Sequence, residues 1–543
     1  MKVLLCGINS QYIHSNLALF CLARAVETLN APPQLLVRQY SLNMPYDTIL
    51  SELYEERPDI LAFSTYIWNI ALVERLLADL GQLLPSALIL LGGPEASARP
   101  DDLLRRNHAL HGIVSGEGEL IWPLLLKCLQ QGEHQPNLPG ILWREQNSAA
   151  GPPSLPDLAT LPFPYLKQDL AALAEARQVI YYESSRGCPY ACSFCASALA
   201  ELRERPLNLV LQELPLLAQA GSQIKFVDRT FNADPARAAA ITQKVLDLYR
   251  PGLSWHFEIS PYNIPRELLQ LWGQAPPGYI RLEAGVQSLH PAVLAAIRRG
   301  GDWRNAYQTL KTLIQRDNMH IHVDLIAGLP EETPATFAAA FAKLHGLAPH
   351  YLQLGFLKVL PGSPLCREAK QRGLLYSSFP PYQILQTPTM SATELLQLAK
   401  AAKALNSFYN SGFFRQSLLK AAELLPGGAL TLYQQLAQGM LSYGPGGLSL
   451  AAKAELLSAL LLPLDKELFI DLLRLDWLCY QDNQPLPPVL RHPADGKDGF
   501  VFYYNWRFNQ AGLAEQNAGP VALRFAWRQR TGVSNRAEII YKI

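Results

Sequence analysis

The segment RGCPYACSFC, residues 186–195, contains three cysteines within eight positions. Cys188, Cys192 and Cys195 follow an apolar run (179–185) that predicts a β-strand, so they occupy a loop at a strand's carboxyl end. The chain has eight cysteines in 543 residues, and the other five are scattered, which excludes a disulfide framework. Thiolates bind the irons of iron–sulfur clusters. Three of them can hold three irons of a [4Fe–4S] cluster and leave the fourth iron open.

Neither a zinc site nor a set of inert core thiols accounts well for this cysteine group. A zinc site would need a fourth ligand, and no further His or Cys lies nearby in the sequence. Inert core cysteines are not expected at this spacing in a Gly- and Pro-containing loop. The pattern C-x3-C-x2-C, with Phe194 before the last cysteine, resembles the signature of the radical SAM superfamily. The resemblance covers residues 179–366. It implies a partial (β/α)6 barrel and a [4Fe–4S] cluster on the three cysteines, with S-adenosylmethionine (SAM) bound at the open iron.

The region 179–366 has the strand–helix rhythm of such a barrel, with strands predicted at 179–185, 224–228, 255–260, 279–285, 320–328 and 351–359. Barrel chemistry lies at the carboxyl ends of the strands. The resemblance implies that Asp228 accepts a hydrogen bond from the SAM amino group. It also implies that Glu283 and Gln287 contact the SAM ribose, that Glu258 lies close by, and that 323–330 packs the adenine. Each carboxylate could instead cap the next helix. No catalytic residue is assigned.

Residues 1–145 alternate apolar strands with helices, the pattern of an α/β fold with a doubly wound, Rossmann-like sheet. Three loops at predicted strand ends carry hydroxyls or glycines that suit a large planar ligand. None has the G-x-G-x-x-G of a dinucleotide fold. The set resembles the cobalamin-binding domain that precedes the barrel in one radical SAM class. The resemblance implies cobalamin contacts by Ser64, Thr65, Gly92, Gly93 and Gly116.

The chain departs from the cobalamin domains that carry D-x-H-x-x-G. His14 has no Asp two residues before it and no Gly three residues after it, so we predict a helix-start or polar-loop role rather than cobalt ligation. The domain could also bind nothing. A methylthiotransferase, which builds a second cluster from three N-terminal cysteines, is disfavoured because Cys6, Cys21 and Cys128 are spread over apolar segments.

The remaining regions carry no chemical motif. Residues 146–178 predict an extended linker because they contain five prolines between Pro152 and Pro164. Residues 367–543 predict a mainly helical C-terminal domain, with helices at 392–408, 416–424, 429–441 and 449–475 and strands at 498–507 and 521–528. A net charge of +1 indicates no nucleic-acid partner. Because neither a signal peptide nor an apolar run of about 20 residues is present, we predict a cytoplasmic protein without a membrane segment.

The resemblance implies an enzyme that reductively cleaves SAM to a 5′-deoxyadenosyl radical and uses cobalamin to methylate a substrate that the sequence does not identify. The implied electron donor is a protein such as flavodoxin or ferredoxin. Two alternatives stay open. One is a radical SAM rearrangement or cyclisation without methyl transfer. The other is a non-catalytic cobalamin or redox sensor, which is disfavoured because ligand sensing needs no open iron.

Overall fold

The computed structural model describes residues 1–145, 151–198, 200–444, 447–480, 485–491, 501–508, 514–531, 533 and 536–541. The chain divides into two compact units. The first comprises Met1–Phe257, Lys358–Lys370 and Tyr376–Gln383, and the second comprises Glu258–Leu357, Gln371–Leu375 and Ile384–Ile543. This division falls inside the region 179–366, so the domain boundaries inferred from the sequence stay predictions.

The first unit begins with alternating strands and helices. Their bounds are β1 Lys2–Asn9, α1 Leu17–Val26, β2 Gln34–Ser41, α2 Tyr46–Glu55, β3 Ile60–Ser64, α3 Ile70–Leu83, β4 Leu88–Gly92, α4 Pro94–Ala98, α5 Pro100–Arg106, β5 Gly112–Val114, α6 Gly118–Gln130 and β6 Ile141–Trp143. The sheet order is β2-β1-β3-β4-β5-β6, and only the edge strand β6 is antiparallel. This confirms the doubly wound sheet.

The burial of strand β1 shows that the sheet is covered on both faces. Its side chains are buried in alternation: Leu4 and Cys6 belong to one hydrophobic core, and Val3 and Leu5 belong to another. A strand with two buried faces reads as a continuous apolar run, as in KVLLCGI. Because β3, β4 and β5 pair in parallel, their carboxyl ends meet at one edge of the sheet, where ligands of this fold bind.

The linker prediction for 146–178 was wrong in part. Residues 151–166 have no regular helix or strand, as the prolines indicate, whereas 146–150 lie outside the described residues. Helix α7, Lys167–Glu175, follows the last of these prolines, Pro164. The Asp169 carboxylate accepts a hydrogen bond from the backbone of Leu166, 2.7 Å away, which caps the helix and favours its start here.

The first unit continues with half of the predicted barrel. Its elements are β7 Ile180–Tyr182, β8 Ser185–Arg186, β9 Arg203–Glu204, α8 Leu207–Ala220, β10 Gln223–Phe226, α9 Pro235–Asp247 and β11 Ser254–Ile259, which runs to the unit boundary. Strand β10 pairs in parallel with both β7 and β11. The cysteine segment therefore follows the first of three parallel strands, as predicted.

The second unit contains the other three barrel strands. The elements are α10 Arg266–Trp272, β12 Ile280–Gln287, α11 Pro291–Ala296, α12 Trp303–Gln315, β13 His320–Ala327, α13 Pro334–Gly346 and β14 Tyr351–Phe356. Strand β13 pairs in parallel with β12 and β14. Along β12 and β13, buried apolar residues alternate with half-buried residues that are mostly polar. These strands thus have one face in a hydrophobic core and one face that can meet a ligand.

The C-terminal region is mainly helical, as predicted. Its elements are α14 Pro364–Glu368, β15 Leu375–Tyr376, β16 Ile384–Gln386, α15 Ala392–Phe408, α16 Arg415–Leu424, α17 Gly428–Met440, α18 Leu450–Leu461, α19 Lys466–Tyr480, β17 Val501–Phe508, β18 Ala514–Thr531 and β19 Arg536–Tyr541. The helix predicted at 449–475 is two helices, since Pro463 cannot continue the first. Part of the predicted strand, 498–500, lies outside the described residues. Within the part of the chain that the structure describes, no helix has the length and apolar character needed to cross a membrane.

Candidate functional site

The cysteine loop is shaped so that its three thiols are available as ligands. None of Cys188, Cys192 and Cys195 is disulfide-bonded. The backbone N–H of Cys195 donates to the carbonyl of Cys192, which makes a tight turn between the last two thiols. Gly187 has φ +87°, and a Cβ there would lie 2.1 Å from the carbonyl oxygen of Glu201. The loop therefore requires a glycine immediately before its first cysteine.

Two sulfurs have polar neighbours of the kind that stabilise thiolates. The Cys188 Sγ lies 3.6 Å from the Thr230 hydroxyl, and the Cys195 Sγ lies 3.4 Å from the backbone N–H of Ser197. Hydrogen bonds to cluster sulfurs tune the potential of an iron–sulfur centre. Three thiols in one loop, none of them disulfide-bonded, fit the ligand set of a [4Fe–4S] cluster with one open iron.

Asp228 lies two residues after the end of β10 and fastens the start of the cysteine loop. Its carboxylate accepts hydrogen bonds from the Ser184 N–H at 2.7 Å, from the Ser184 hydroxyl, and from the Ser185 hydroxyl at 2.8 Å. Burial raises the pKa of Asp228, and these hydrogen bonds oppose that rise. The carboxylate thus has a structural role that the sequence did not indicate. Its contact with the SAM amino group stays a prediction.

Arg186, two residues before Cys188, joins the cysteine loop to the N-terminal sheet. Its guanidinium contacts three carboxylates: Glu117 at 2.5 Å, Glu119 at 2.5 Å and Glu183 at 2.7 Å. Arg203 also donates to Glu117. Burial alone would lower the pKa of Arg186, but the surrounding glutamates outweigh that effect and raise it. Two glutamates that follow β5, in the segment predicted to face cobalamin, therefore bind the cysteine loop instead.

The three predicted cobalamin loops meet at the carboxyl edge of the N-terminal sheet. The Thr65 hydroxyl donates to the Gly92 carbonyl at 2.7 Å and accepts from the Ala96 N–H at 3.1 Å. Gly93 has φ +95°, and a Cβ there would lie 2.6 Å from the Thr65 carbonyl oxygen. The loop after β3 and the loop after β4 are therefore locked together, and the Thr65 hydroxyl is used inside the protein.

Gly116 and Ser64 complete the set of predicted cobalamin residues. The Gly116 N–H donates to the Ser97 hydroxyl at 3.1 Å, which ties the loop after β5 to α4. Gly116 is also covered by the Pro153 ring, which lies 2.6 Å from where a Cβ would stand. Ser64 ends β3 and is buried. The structure brings these loops together, but whether they contact cobalamin stays a prediction.

Two aromatic features at this edge were not predicted from the sequence. Tyr66 and Trp68 stack with ring centroids 4.3 Å apart, and Trp68 is 43% exposed, a large apolar surface beside the loops. Tyr382, from the returning segment Tyr376–Gln383, donates a hydrogen bond to Glu95 at the start of α4. Arg99 binds the same Glu95 carboxylate at 2.7 Å. An exposed aromatic surface in addition to hydroxyl and glycine loops fits a large planar ligand.

His14 lies in the loop after β1. Its Nδ1 atom lies 2.6 Å from the hydroxyl of Tyr181 on β7. Burial, and then the positive charge of Lys225, lower the pKa of His14, which favours the uncharged ring. The polar-loop role predicted for His14 agrees with this contact.

In the second unit, Gln287 occupies the end of β12, as predicted. It has φ +70° and stands at a bulge in the pairing with β13. Its Oε1 atom is buried and accepts no hydrogen bond from the described residues. A strained residue with an unsatisfied buried amide oxygen fits a ligand contact.

The predicted position of Glu283 at the end of this strand was wrong. Strand β12 continues to Gln287, four residues later, so Glu283 lies in the middle of the strand. Four residues of strand separate the two side chains by about 13 Å. Glu258 lies one residue before the end of β11, as expected.

Family comparisons match the two cofactor regions separately. Residues 3–126 match the family described as B12 binding domain, and residues 182–344 match the radical SAM superfamily. The second match begins just before the cysteine loop. The chain is a radical SAM protein with a B12-binding domain. The radical SAM domain implies a [4Fe–4S] cluster and SAM, and the other domain implies cobalamin. Residues 370–511 match a family described as a protein of unknown function (DUF4080).

Individual relatives agree with these domains. The chain is 27% identical over 357 residues to a 2-(S-pantetheinyl)-carbapenam-3-carboxylate methyltransferase of Streptantibioticus cattleyicolor, covering 61% of this chain and 51% of the relative. It is 28% identical over 327 residues to the cobalamin-dependent radical SAM methyltransferase TokK of Streptomyces tokunonensis, covering 57% and 48%. The chain thus spans about half the length of these curated relatives.

A solved structure shows the same fold. The radical SAM methyltransferase TsrM from Kitasatospora setae, bound to tryptophan and a SAM analogue, superposes with a TM-score of 0.58 at 19% identity, covering 71% of this chain and 80% of TsrM. At this identity the likeness concerns the fold alone. It agrees with the α/β architecture derived from the sequence.

Proposed function

We propose that this protein is a cobalamin-dependent radical SAM methyltransferase. The observation that carries the proposal is the cysteine loop after β7, in which none of Cys188, Cys192 and Cys195 is disulfide-bonded. As ligands of a [4Fe–4S] cluster, these three would leave its fourth iron without a protein ligand. The methyltransferase activity of the relatives supports the second half of the proposal. When bound, the cluster supplies the electron that cleaves SAM, and cobalamin supplies the methyl-carrying centre.

The chain's own residues position these groups. In the first unit, Asp228 and Arg186 hold the cysteine loop, and Arg186 fastens it to the segment after β5. The edge formed by Ser64, Thr65, Gly92, Gly93 and Gly116 is the proposed cobalamin surface. In the second unit, the buried amide of Gln287 is the proposed ribose contact. The ribose contact of Glu283 stays a prediction.

The proposal also includes an electron donor and a cellular compartment. Radical SAM chemistry requires an external electron and a substrate. We propose a flavodoxin or a ferredoxin as the electron donor and the cytoplasm as the location. The absence of a net charge large enough to attract nucleic acid agrees with a small-molecule or protein substrate.

The test is an anaerobic reconstitution with iron, sulfide and hydroxocobalamin. Visible spectroscopy then measures the ratio of cobalamin to protein, and mass spectrometry measures 5′-deoxyadenosine and S-adenosylhomocysteine after reduction in the presence of SAM. We expect a cobalamin ratio near one and both SAM products, because methyl transfer from SAM leaves S-adenosylhomocysteine and reductive cleavage leads to 5′-deoxyadenosine.

The same measurement separates the alternatives. Formation of 5′-deoxyadenosine without S-adenosylhomocysteine would contradict methyl transfer and favour a rearrangement or cyclisation. Cobalamin binding with neither product would favour a sensor. A cobalamin ratio near zero with an intact cluster would overturn the assignment of the first domain.

A further inference from the structure

Three metal-binding side chains lie together on the half-buried face of the second unit. Glu283 on β12 stands directly opposite His322 on β13 in the parallel register. Asp324 is two residues after His322 and therefore projects from the same face of the strand. All three side chains are largely buried, with 16–22% of their surface exposed.

The three groups lie within reach of one another, and the two short contacts use different nitrogens of the His322 ring. The His322 Nε2 lies 2.7 Å from the Asp324 Oδ1, and the His322 Nδ1 lies 3.9 Å from a Glu283 carboxylate oxygen. One ligand atom from each residue lies within 4.8 Å of the other two. Bonds of about 2.0–2.2 Å to a metal ion would place such atoms roughly 3 Å apart. Small side-chain rotations would therefore bring all three onto one ion.

Asp324 gives a second, independent indication. Its buried Oδ1 lies beside the His322 Nε2, and no other donor among the described residues reaches it. A largely buried carboxylate is stabilised by a cation that offsets the cost of removing its charge from water. The 2.7 Å distance between this oxygen and the imidazole nitrogen is also one that two ligands of the same metal ion can have.

We propose that Glu283, His322 and Asp324 bind one divalent transition-metal ion, separate from the iron of the cluster. One imidazole and two carboxylates form a mixed N/O set that suits Mn²⁺, Fe²⁺ or Zn²⁺, and the two carboxylates neutralise the charge of the ion. Three protein ligands leave coordination positions open, as in catalytic metal sites. An oxygen atom of the substrate, from a carboxylate, a hydroxyl or a carbonyl, would bind at an open position and be oriented there.

The neighbouring Tyr351 supports the ring orientation that this site needs. It stands opposite His322 on β14, and the two rings contact edge to face with centroids 4.6 Å apart. Groups that fix the ring of a metal-binding histidine contribute to affinity without touching the metal. Glu283, His322 and Tyr351 thus form one row across three strands.

Manganese is the probe that tests the proposal, because its EPR signal is distinct from cluster iron and from cobalamin cobalt. Mn²⁺ is titrated anaerobically into the cluster-containing protein before reduction, and the loss of the free-ion signal measures binding. We expect one Mn²⁺ per chain. Asp324→Asn and Glu283→Gln should each weaken binding by at least about tenfold, equivalent to about 1.4 kcal/mol, while the cluster absorbance stays unchanged.

The matched control is Asp317→Asn, which removes the carboxylate from a second His–Asp pair of the same unit. There the His350 Nε2 lies 3.1 Å from the Asp317 Oδ1, but no further carboxylate among the described residues completes the set of ligands. This variant should bind Mn²⁺ as the parent does. The proposal is overturned if the parent binds no Mn²⁺ at millimolar concentration, or if Asp324→Asn and Glu283→Gln bind it as tightly as the parent.

The proposed function can fail without affecting this result. Cys192→Ala removes the cluster but leaves the three ligands in place, so its Mn²⁺ affinity should equal that of the parent. A protein that binds Mn²⁺ but forms no 5′-deoxyadenosine would retain the metal site and lose the methyltransferase assignment.

Discussion

The two cofactor loops of the first unit are held together in different ways. At the edge of the N-terminal sheet, Thr65 is hydrogen-bonded on both sides, and Gly93 allows its loop to lie directly against the Thr65 backbone. In the cysteine loop the backbone is fastened at its start by Asp228 and Arg186, whereas the Cys188 and Cys195 thiols make only long contacts with polar neighbours.

This difference indicates two ways of preparing a cofactor site. The proposed cobalamin edge is preorganised by the protein, so a ligand there would meet a surface that already has its final shape. The cysteine loop has its strongest interactions at its base, and its sulfurs acquire their main partners when the cluster binds. For such sites the binding energy of the metal contributes directly to local folding.

The largest expected effect is the loss of one cluster ligand. Cys192→Ala should abolish the cluster absorbance and reduce 5′-deoxyadenosine formation to the level without enzyme, because two thiolates cannot hold a cluster with one open iron. Cys128→Ala, which removes an isolated free cysteine on α6, is the control and should keep both. Full 5′-deoxyadenosine formation in Cys192→Ala would contradict the assignment of the loop.

Loss of the ion pairs at the base of the cysteine loop should lower the free energy of unfolding. Arg186→Gln leaves Glu119 and Glu183 in a largely buried site without their guanidinium partner, which should lower the stability of the first unit by about 3 kcal/mol. Urea denaturation followed by tryptophan fluorescence measures this change. Arg105→Gln removes an exposed ion pair to Asp102 and should change the stability by less than about 0.5 kcal/mol. Equal midpoints for the two variants would show that the Arg186 contacts are not structural.

The preorganised edge can be tested with two glycines that share a positive φ. Gly93 has φ +95° and Gly252 has φ +82°, but only at Gly93 would a Cβ meet backbone atoms within 4 Å. Gly252→Ala should cost about 1 kcal/mol from backbone conformation alone. Gly93→Ala should cost about 2 kcal/mol more and lower the ratio of bound cobalamin to protein. Similar cobalamin ratios in both variants would mean that the junction of Thr65 and Gly93 does not shape the ligand surface.

Local sequence patterns predicted the strands and the cysteine loop because both depend on neighbouring residues. The six barrel strands and the doubly wound sheet follow from runs of apolar residues between turn signals. The contacts of Arg186 with Glu117, and of Tyr382 with Glu95, join residues 69 and 287 positions apart. No local periodicity encodes such pairs. The prediction placed Glu283 at a strand end, whereas it lies in the middle of β12. The error arose because an apolar run locates the centre of a strand better than its last residue.

The smallest effect should come from Tyr382, which connects the returning segment Tyr376–Gln383 to the cobalamin edge. Tyr382→Phe removes one buried hydroxyl that binds Glu95 and should cost about 1 kcal/mol. Because Arg99 still holds the Glu95 carboxylate, α4 should keep its place, and we expect hydroxocobalamin affinity to fall by about fivefold at most. Tyr433→Phe is the matched control, since it removes a buried hydroxyl that contacts the His345 ring in the second unit at 2.8 Å.

If both variants lose the same stability but only Tyr382→Phe loses cobalamin affinity, the segment acts on the cobalamin edge itself. If neither changes the affinity, the preorganisation of that edge lies within the contacts among Thr65, Gly92, Gly93 and Ala96 and does not depend on the returning segment.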